Sequence, residues 1–486
     1  MSIALHPRAA PADTVRVWVG VDGQVEAPEL TWRLDGAEAK PRALRPLQSA
    51  RGPALLRGSP PRVFAGVYEF RNVTPGTHEI VVTAAGRERR LTVRTLPREL
   101  PESVDGWFNI LLVSCYHEAE AERGVLDAAL YEITREHPLH LSILLGDQVY
   151  LDLPTLEDFP NDKVWLAERF ERSYRRNWFG DDDYAAVLSA APSVATPDDH
   201  EYWNNFPHAS PIIGNTYTPK GRAAWTEAAA ALYRAFQMPV TGEDGEEFGD
   251  PFVIDVPPMS LFVADSRSLR RPDRSRSFGP RTLERLEEWV RTLRARGWLG
   301  VFATGQSLFD PAASALSGAV GDRVLANYGD YSKLVEILSE APQAIAITGD
   351  VHFGRVVSVL DVDRELLPTI HEVITSPSSL VTSVGIDGYK KAVNWLDRLR
   401  GGGDDWPRHS EAEPAPAYFA EDVLRRRRFS TRTLHRQKGD QLAVLSLKRH
   451  GTGILGRVTY YPLHSSHAVR ARHKASVELA IPSHER

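Results

Sequence analysis

Five apolar runs of this chain end in acids, histidine or cysteine, and this pattern constrains the fold more than any other feature. Phe108–Ser114 leads into Cys115, Tyr116 and His117, and Leu139–Leu145 into Gly146, Asp147, Gln148, Val149 and Tyr150. A short run before the third block delivers Asp198, Asp199, His200 and Glu201, followed by Asn204 and Asn205. Ser260–Ala264 leads into Asp265, Ser266 and Arg267, and Ala344–Thr348 into Gly349, Asp350, Val351 and His352. Runs this apolar read as buried strands. In α/β sheets the loops beyond the carboxyl ends of the strands host the chemistry, so all five ends can meet. Clustered carboxylates repel one another and need cations between them. Oxygen and imidazole donors held together by a rigid sheet are what a multi-metal site requires.

The rest of the chain divides into two regions. Residues 12–96 read as β: Thr14–Val21 alternates, Leu30–Leu34 ends in the turn Asp35-Gly36, and Val63–Phe70 is a further strand. Thr77–Ala84 and Arg87–Thr95 flank Ala85-Gly86 and read as a hairpin, preceded by the Pro75-Gly76 turn. Six or seven short strands in such a span suit a small immunoglobulin-like β-sandwich, without the cysteine pair of true immunoglobulin domains. Leu96–Ser103 has two prolines and no periodicity, which places a linker there. From Trp107 onward, strands alternate with helices expected at Leu126–Glu136, Val164–Trp178, Arg222–Phe236 and Arg281–Arg296. A strand at Leu299–Thr304 follows, and Gln441–Lys448 and Leu455–Tyr461 read as an antiparallel pair near the end. Residues 401–417 read as a loop. The expected organisation is therefore a β-sandwich over 1–98 and an α/β catalytic domain over 104–486.

Composition closes off several functions. With 486 residues, 42% hydrophobic and 25% charged, the chain has the makeup of an ordinary globular protein with room for a large core. A net charge of −6 gives no global basic field of the kind that nucleic acid attracts. The densest basic patch, Arg425–Arg428, reads as a solvated face. Cys115 is the one cysteine, so no intrachain disulfide forms. No run of 18 apolar residues predicts a membrane span, and the N-terminus has no apolar core of secretory length, so cytoplasmic is the default location. Gly305-Gln306-Ser307-Leu308 runs on into Phe309, so the nucleophile elbow of a serine hydrolase is absent. Nothing here specifies an oligomeric state.

The order Ser-Cys, GDxxY, DDHE, D-x-R and GDxH resembles the calcineurin-like metallophosphoesterases, most closely the PhoD-like alkaline phosphatases, from about residue 12 to at least 380. That resemblance implies a layered α/β sandwich preceded by a β-rich domain. It implies hydrolysis of phosphate esters, monoesters or diesters, by metal-activated water, with a small phosphate ester as substrate. Cys115 as thiolate, Asp147, Tyr150 as phenolate and His352 would then hold a ferric ion, Asp147 bridging to a second site. Asp199 and Asp350 would offer oxygen to that second site. Carboxylates at both positions favour a hard ion such as calcium, with manganese or zinc as other divalent options. His200 would protonate the leaving group, and Arg267 and Arg270 would grip phosphate oxygens. Asn204 and Asn205 are weaker candidates beside that second site, with Asn204 also a substrate contact. His117 would stand behind the metal ligands, and Asp265 would lie near the second site. Gln306, Glu372 and Ser376 also resemble family positions near the site, Ser268–Phe278 offers a basic rim, and Asp152–Asn161 a lid segment. The alternative is a binding or adhesion role for the β-sandwich, with a degenerate phosphoesterase domain behind it.

Overall fold

In the computed structural model the alternating N-terminal segments become strands β1 (Ser2–Arg8), β2 (Thr14–Asp22), β3 (Leu30–Leu34), β4 (Ala37–Ala39), β5 (Arg42–Ser49), β6 (Val63–Arg71), β7 (Thr77–Ala84) and β8 (Arg87–Arg94). The structure describes residues 1–56, 60–102, 106–119, 121–153, 159–211, 213–240, 247–313, 323–364, 367–379, 429–463 and 473–481. The expected loop at 401–417, the Arg425–Arg428 run, Ser103 and residues 154–158 of the expected lid lie outside them. The expected hairpin pairs Ala84 with Arg87, and Ala85 and Gly86 both have positive φ (45° and 76°). That is the type I′ turn whose twist matches a two-residue hairpin.

Beyond residue 106 the chain alternates: β9 (Phe108–Val113), α1 (Val125–Glu136), β10 (Leu139–Leu145), α2 (Lys163–Trp178), α3 (Tyr184–Ser189), β11 (Ser193–Thr196) and α4 (Pro219–Phe236). Then come β12 (Phe252–Val256), β13 (Met259–Val263), α5 (Thr282–Arg296), β14 (Leu299–Ala303), α6 (Tyr331–Ser339), β15 (Ala344–Thr348), β16 (Phe353–Asp361) and β17 (Leu367–Ile374). Four strands close the chain: β18 (Phe429–Lys438), β19 (Gln441–His450), β20 (Gly453–Pro462) and β21 (Ala475–Leu479). The α2 helix shows why such segments fold as they do. The Asp162 carboxylate accepts from the amides of Val164 and Trp165, and Leu166, Phe170, Tyr174 and Trp178, each four residues on, form one buried stripe. The helix expected at Arg222 starts a turn earlier, because Thr218 caps it and Pro219 takes the first position, where no amide is needed.

Among the described residues one sheet runs β21-β20-β19-β9-β10-β11-β1-β2-β6-β5, a second runs β12-β13-β14-β15-β17-β16-β18, and a third β4-β3-β7-β8. The first two face each other over a dry core that includes Ile110, Leu112, Ile143, Leu145, Leu261, Val301, Ile345 and Ile347. Helices α1, α2 and α4 cover the outer face of the first sheet, and α5 and α6 that of the second. The result is a layered α/β sandwich. A β-sandwich is attached, with Leu5, Val17 and Val19 packed against Ile80, Val82 and Leu91. Its larger sheet continues that of the α/β layers, because β1, which the sequence did not reveal, lies beside β11, with Arg8 opposite Ser193. The expected linker is packed down: the Leu100 amide donates to Pro257 O at 2.8 Å and Pro101 O accepts from the Arg449 amide at 2.9 Å. None of the helices, among the described residues, is long and apolar enough to cross a membrane.

The β1 strand also buries a histidine. His6 stacks on Trp18 at 5.4 Å, and its Nε2 lies 2.9 Å from Trp178 O. Burial, with help from Arg8 and Arg89, lowers its pKa to about 3. The folded pKa thus lies below the unfolded value, so the unfolded chain binds the extra proton between pH 6.5 and about 3. His6 contributes stability that is complete above pH 6.5 and is lost as pH falls. The expected slope from this group is about 1.4 kcal/mol per pH unit. Urea melts of the parent and of His6→Gln at pH 5.0–7.0 check it: the variant should lose most of that slope, and equal slopes would sink the assignment.

Candidate metal centre

The strand ends converge because parallel neighbours end at the same level. The Cys115 amide donates to Gly146 O at 3.1 Å and the Tyr116 amide to Asp147 O at 2.8 Å, while Gly349 N reaches Gly305 O at 3.1 Å. Thr196 Oγ1 donates to Ala264 O at 2.9 Å and ties the first sheet to the second. The approach is close enough to need glycine. A β-carbon on Gly146 would come within 2.5 Å of Asp198 Cβ, and one on Gly349 would clash with Leu145 O and Ser114 Oγ. Cys115, Asp147, Asp350 and His352 all take positive φ (55°, 56°, 69° and 55°). Left-handed backbone is uncommon outside glycine, and at functional sites it aims side chains where a regular strand would not.

Three overlapping donor groups result, each with ligand atoms within 4.8 Å of one another. They are Cys115, Asp147 and His352; Asp147, Asp199 and His200; and Asp147, Asp198, Asp199 and Asp350. Asp147 belongs to all three. Cys115 Sγ lies 3.4 Å from Asp147 Oδ2. Burial first, then Asp147 and Asp350, push the Cys115 thiol well above its usual range. Burial also pushes Asp147 up; His200 opposes it, while Asp199, Glu201 and Asp350 reinforce it. For Asp198, burial again leads and the neighbouring carboxylates add, against the opposing Arg267. The buried Tyr150 hydroxyl and Asp198 Oδ2 have no hydrogen-bond partner among the described residues. Thiol, phenol, imidazole and carboxylates that repel one another and leave buried atoms unpaired form a donor set that fits metal cations.

Two acids hold the donors in place. Glu201 accepts the amides of Asp147 (2.9 Å), Gln148 (2.7 Å) and Asp198 (2.8 Å), together with Gln237 Nε2 at 3.1 Å. Sequence reasoning gave Glu201 no role of its own, although Asp198-x-x-Glu201 is a capping-box pattern, and the box is formed. Asp152, read only as part of a lid, puts Oδ1 2.7 Å from His200 Nδ1 and accepts the Asn204 amide at 2.8 Å. Burial alone would lower the His200 pKa, but Asp152, Asp199 and Asp147 outweigh it and raise it well above the usual value.

The other named residues divide. Arg267 is fully buried: Nε donates to Asp198 Oδ1 at 2.7 Å and Nη1 to Phe206 O at 3.0 Å. Arg270 is buried as well, donating to Gln306 Oε1 and lying 4.6 Å over the Tyr328 ring. Gln306 passes this contact on, its Nε2 lying 3.3 Å from Asp350 Oδ2. Asn205 donates its amide to Asp199 Oδ2 at 2.7 Å, and its side-chain oxygen faces Arg323 Nη1 at 3.4 Å. Ser376 Oγ lies 3.1 Å from Cys115 Sγ and 3.2 Å from the His352 amide. The His117 ring meets Tyr150 edge-on at 5.1 Å. Asp265 instead caps its own turn, accepting the amides of Arg267 and Ser268. Glu372 is paired with Arg355 at 2.8 Å and holds the Leu308 amide at 2.6 Å.

Residues 110–300, which include most of these donors, match the family model described as PhoD-like phosphatase. Over that span the chain is similar to a PhoD-like phosphatase domain. A solved structure titled "Structure of PhoD" superposes over 98% of this chain and 90% of that one, at 14% identity and a TM-score of 0.59. That likeness extends the shared fold across the N-terminal β-unit. A second, GAP50, the anchor in the inner membrane complex of Plasmodium, covers 77% of this chain and 89% of that one at 9% identity, but its TM-score of 0.36 supports no argument. No curated protein matches the sequence. The family indicates a metal-dependent hydrolase of phosphoric esters.

If Glu201 holds the ligand loops, removing it strands three buried amides. Glu201→Ala should destabilise the protein by about 3 kcal/mol. Urea denaturation measures this, and a loss below about 1 kcal/mol would mean the loops are held by other contacts.

Proposed function

We propose that this chain hydrolyses small phosphate esters, monoesters or diesters, at a centre of iron and calcium type. In this reading Cys115, Asp147, Tyr150 and His352 hold the iron, and Asp147, Asp199 and Asp350 hold the calcium. Manganese or zinc are the other divalent candidates for the second position. The observation that carries the reading is the membership of Asp147 in all three donor groups, as a bridging carboxylate requires. When bound, the cations would neutralise phosphoryl oxygens and activate the attacking water. The chain's own residues supply the rest. His200, held at Nδ1 by Asp152, keeps its proton and presents the other ring nitrogen to the leaving oxygen. Arg267 and Arg270, buried against Asp198 and Gln306, act on the phosphate through the donors that they position. Direct contact falls to the partly exposed Arg323, faced by the buried Asn205, and to the partly exposed Asn204.

Elemental analysis of the purified protein, paired with hydrolysis of a chromogenic monoester and diester with and without calcium, tests this. Bound iron and calcium-stimulated hydrolysis are expected; a metal-free, inactive protein that cannot be reconstituted would overturn the reading. Asp147→Asn should lose metal and at least ~1,000-fold in rate, about 4 kcal/mol of barrier. Retention of full metal content by that variant would remove the bridging assignment. Asp152→Asn should keep its metal and lower kcat by about 100-fold with little change in KM. Wild-type kcat in that variant would remove Asp152 from the proton step.

A further inference from the structure

The end of α4 is held from outside its own layer. A helix leaves its last carbonyls without intrahelical partners, and the negative end of its dipole favours cations there. In α4 those carbonyls are taken by side chains of the N-terminal β-unit. Arg45 donates to Arg234 O, Trp18 Nε1 to Ala235 O at 2.7 Å, and Arg8 to Phe236 O. Just past the helix, Arg16 Nη1 donates to Val240 O at 2.6 Å, while its Nε is fixed by Glu69 at 2.7 Å. These four contacts bracket Gln237, the residue that ends the helix. Gln237 in turn donates to Glu201, the carboxylate that holds the amides of Asp147, Gln148 and Asp198. A second link runs in parallel: Ser193, which starts the strand leading to Asp198, donates its hydroxyl to Pro7 O at 3.1 Å and accepts the Ala9 amide at 2.9 Å.

We infer that the N-terminal β-unit is a positioning element for the metal centre: Arg8, Arg16, Trp18 and Arg45 clamp the end of α4, and Gln237 carries that placement through Glu201 to the Asp147 loop. The unit serves the hydrolytic site and is not an independent docking module. Arg8, Arg16 and Arg45 are spent on carbonyls at and just beyond the end of α4. The inference rests on the reading of Asp147 as a ligand, but the clamp and relay have a readout of their own.

Three variants of the full chain test it. Gln237→Met keeps the volume and removes the amide donor, Trp18→Phe keeps a ring and removes the N–H, and Arg45→Met removes one clamp from a partly exposed position. Amide exchange followed by mass spectrometry on metal-free protein is the first measurement. Each variant should exchange at least tenfold faster over 145–149, while α5 exchanges as in the parent. Metal retained after dialysis should fall about tenfold, as when the groups behind metal ligands are removed. Trp18→Phe added to Gln237→Met should change neither quantity further, since the two act in series. If Trp18→Phe and Arg45→Met lower the melting temperature but leave 145–149 exchange and metal content at the parent's values, the β-unit only stabilises, and the inference falls. Should Trp18→Phe fail to fold, Arg45→Met decides alone. A parent that binds no metal but shows the exchange response would sink the metal reading and keep the relay. A parent that binds metal without that response would do the reverse.

Discussion

Several buried carboxylates within reach of one another are the condition that the rest of this structure answers. Asp147, Asp198, Asp199 and Asp350 each offer an oxygen to one cluster, and Asp147, Asp198 and Asp199 are almost completely shielded from water. Such a group is unstable in a dry interior unless cations or rigid donors compensate it. Much of the local architecture supplies the rigid half. Glycines at 146 and 349 let the strand ends close up, and left-handed backbone at Cys115, Asp147, Asp350 and His352 aims the side chains inward. Arg267 sets a buried positive charge against Asp198, and Glu201 pins three amides at once. Cys115, Asp147, Asp199 and Asp350 turn their donor atoms toward this same region, where the proposed cations would supply the other half.

The same reasoning explains buried ion pairs that do not touch the donors. Arg355 lies inside the second sheet, paired with Asp310 at 3.0 Å and with Glu372 at 2.8 Å. A buried pair of this kind gains little over apolar packing of equal volume, so stability is a poor reason for it. Its geometry gives a better one. Glu372 on β17 also accepts the amides of Leu308 and Phe309, which fixes the turn after β14 next to Gln306 and hence next to Asp350. One buried arginine network therefore touches a donor, Arg267 on Asp198, and the other stands behind the turn whose Gln306 reaches Asp350.

Legibility in the sequence followed the physics of each element. The strand ends could be read because a buried strand that stops in acids has few explanations, and the order of the blocks carried the family resemblance. The Ala85-Gly86 hairpin was legible because a two-residue turn needs φ values that few residues accept. β1 was not, because seven residues with a proline give no periodic signal, and its link to β11 is made with a strand far along the chain. The arginines show the limit most clearly. Arg267 follows a strand end as a phosphate-binding arginine would, yet sequence cannot say which way a guanidinium turns, and this one faces Asp198. Asp152 and Gln237 carry no motif at all, since their roles exist only through partners 48 and 36 residues away.

This long-range placement gives the β-unit its meaning. Had it been a separate module, its sheet would end in an edge of its own and its polar groups would face water. Instead its larger sheet runs on into β11, and both faces are buried, one against β3, β7 and β8 and the other against α2 and α4. An edge joined in this way cannot shift without moving the strand that ends at Asp198. The unit is then bound to the catalytic layers by register as well as by contact, because a slip of one residue would turn Trp18 and Arg16 from the α4 carbonyls to the opposite face. Register fixes which side chains reach α4, α4 fixes Gln237, and Gln237 fixes the carboxylate on which the Asp147 loop hangs.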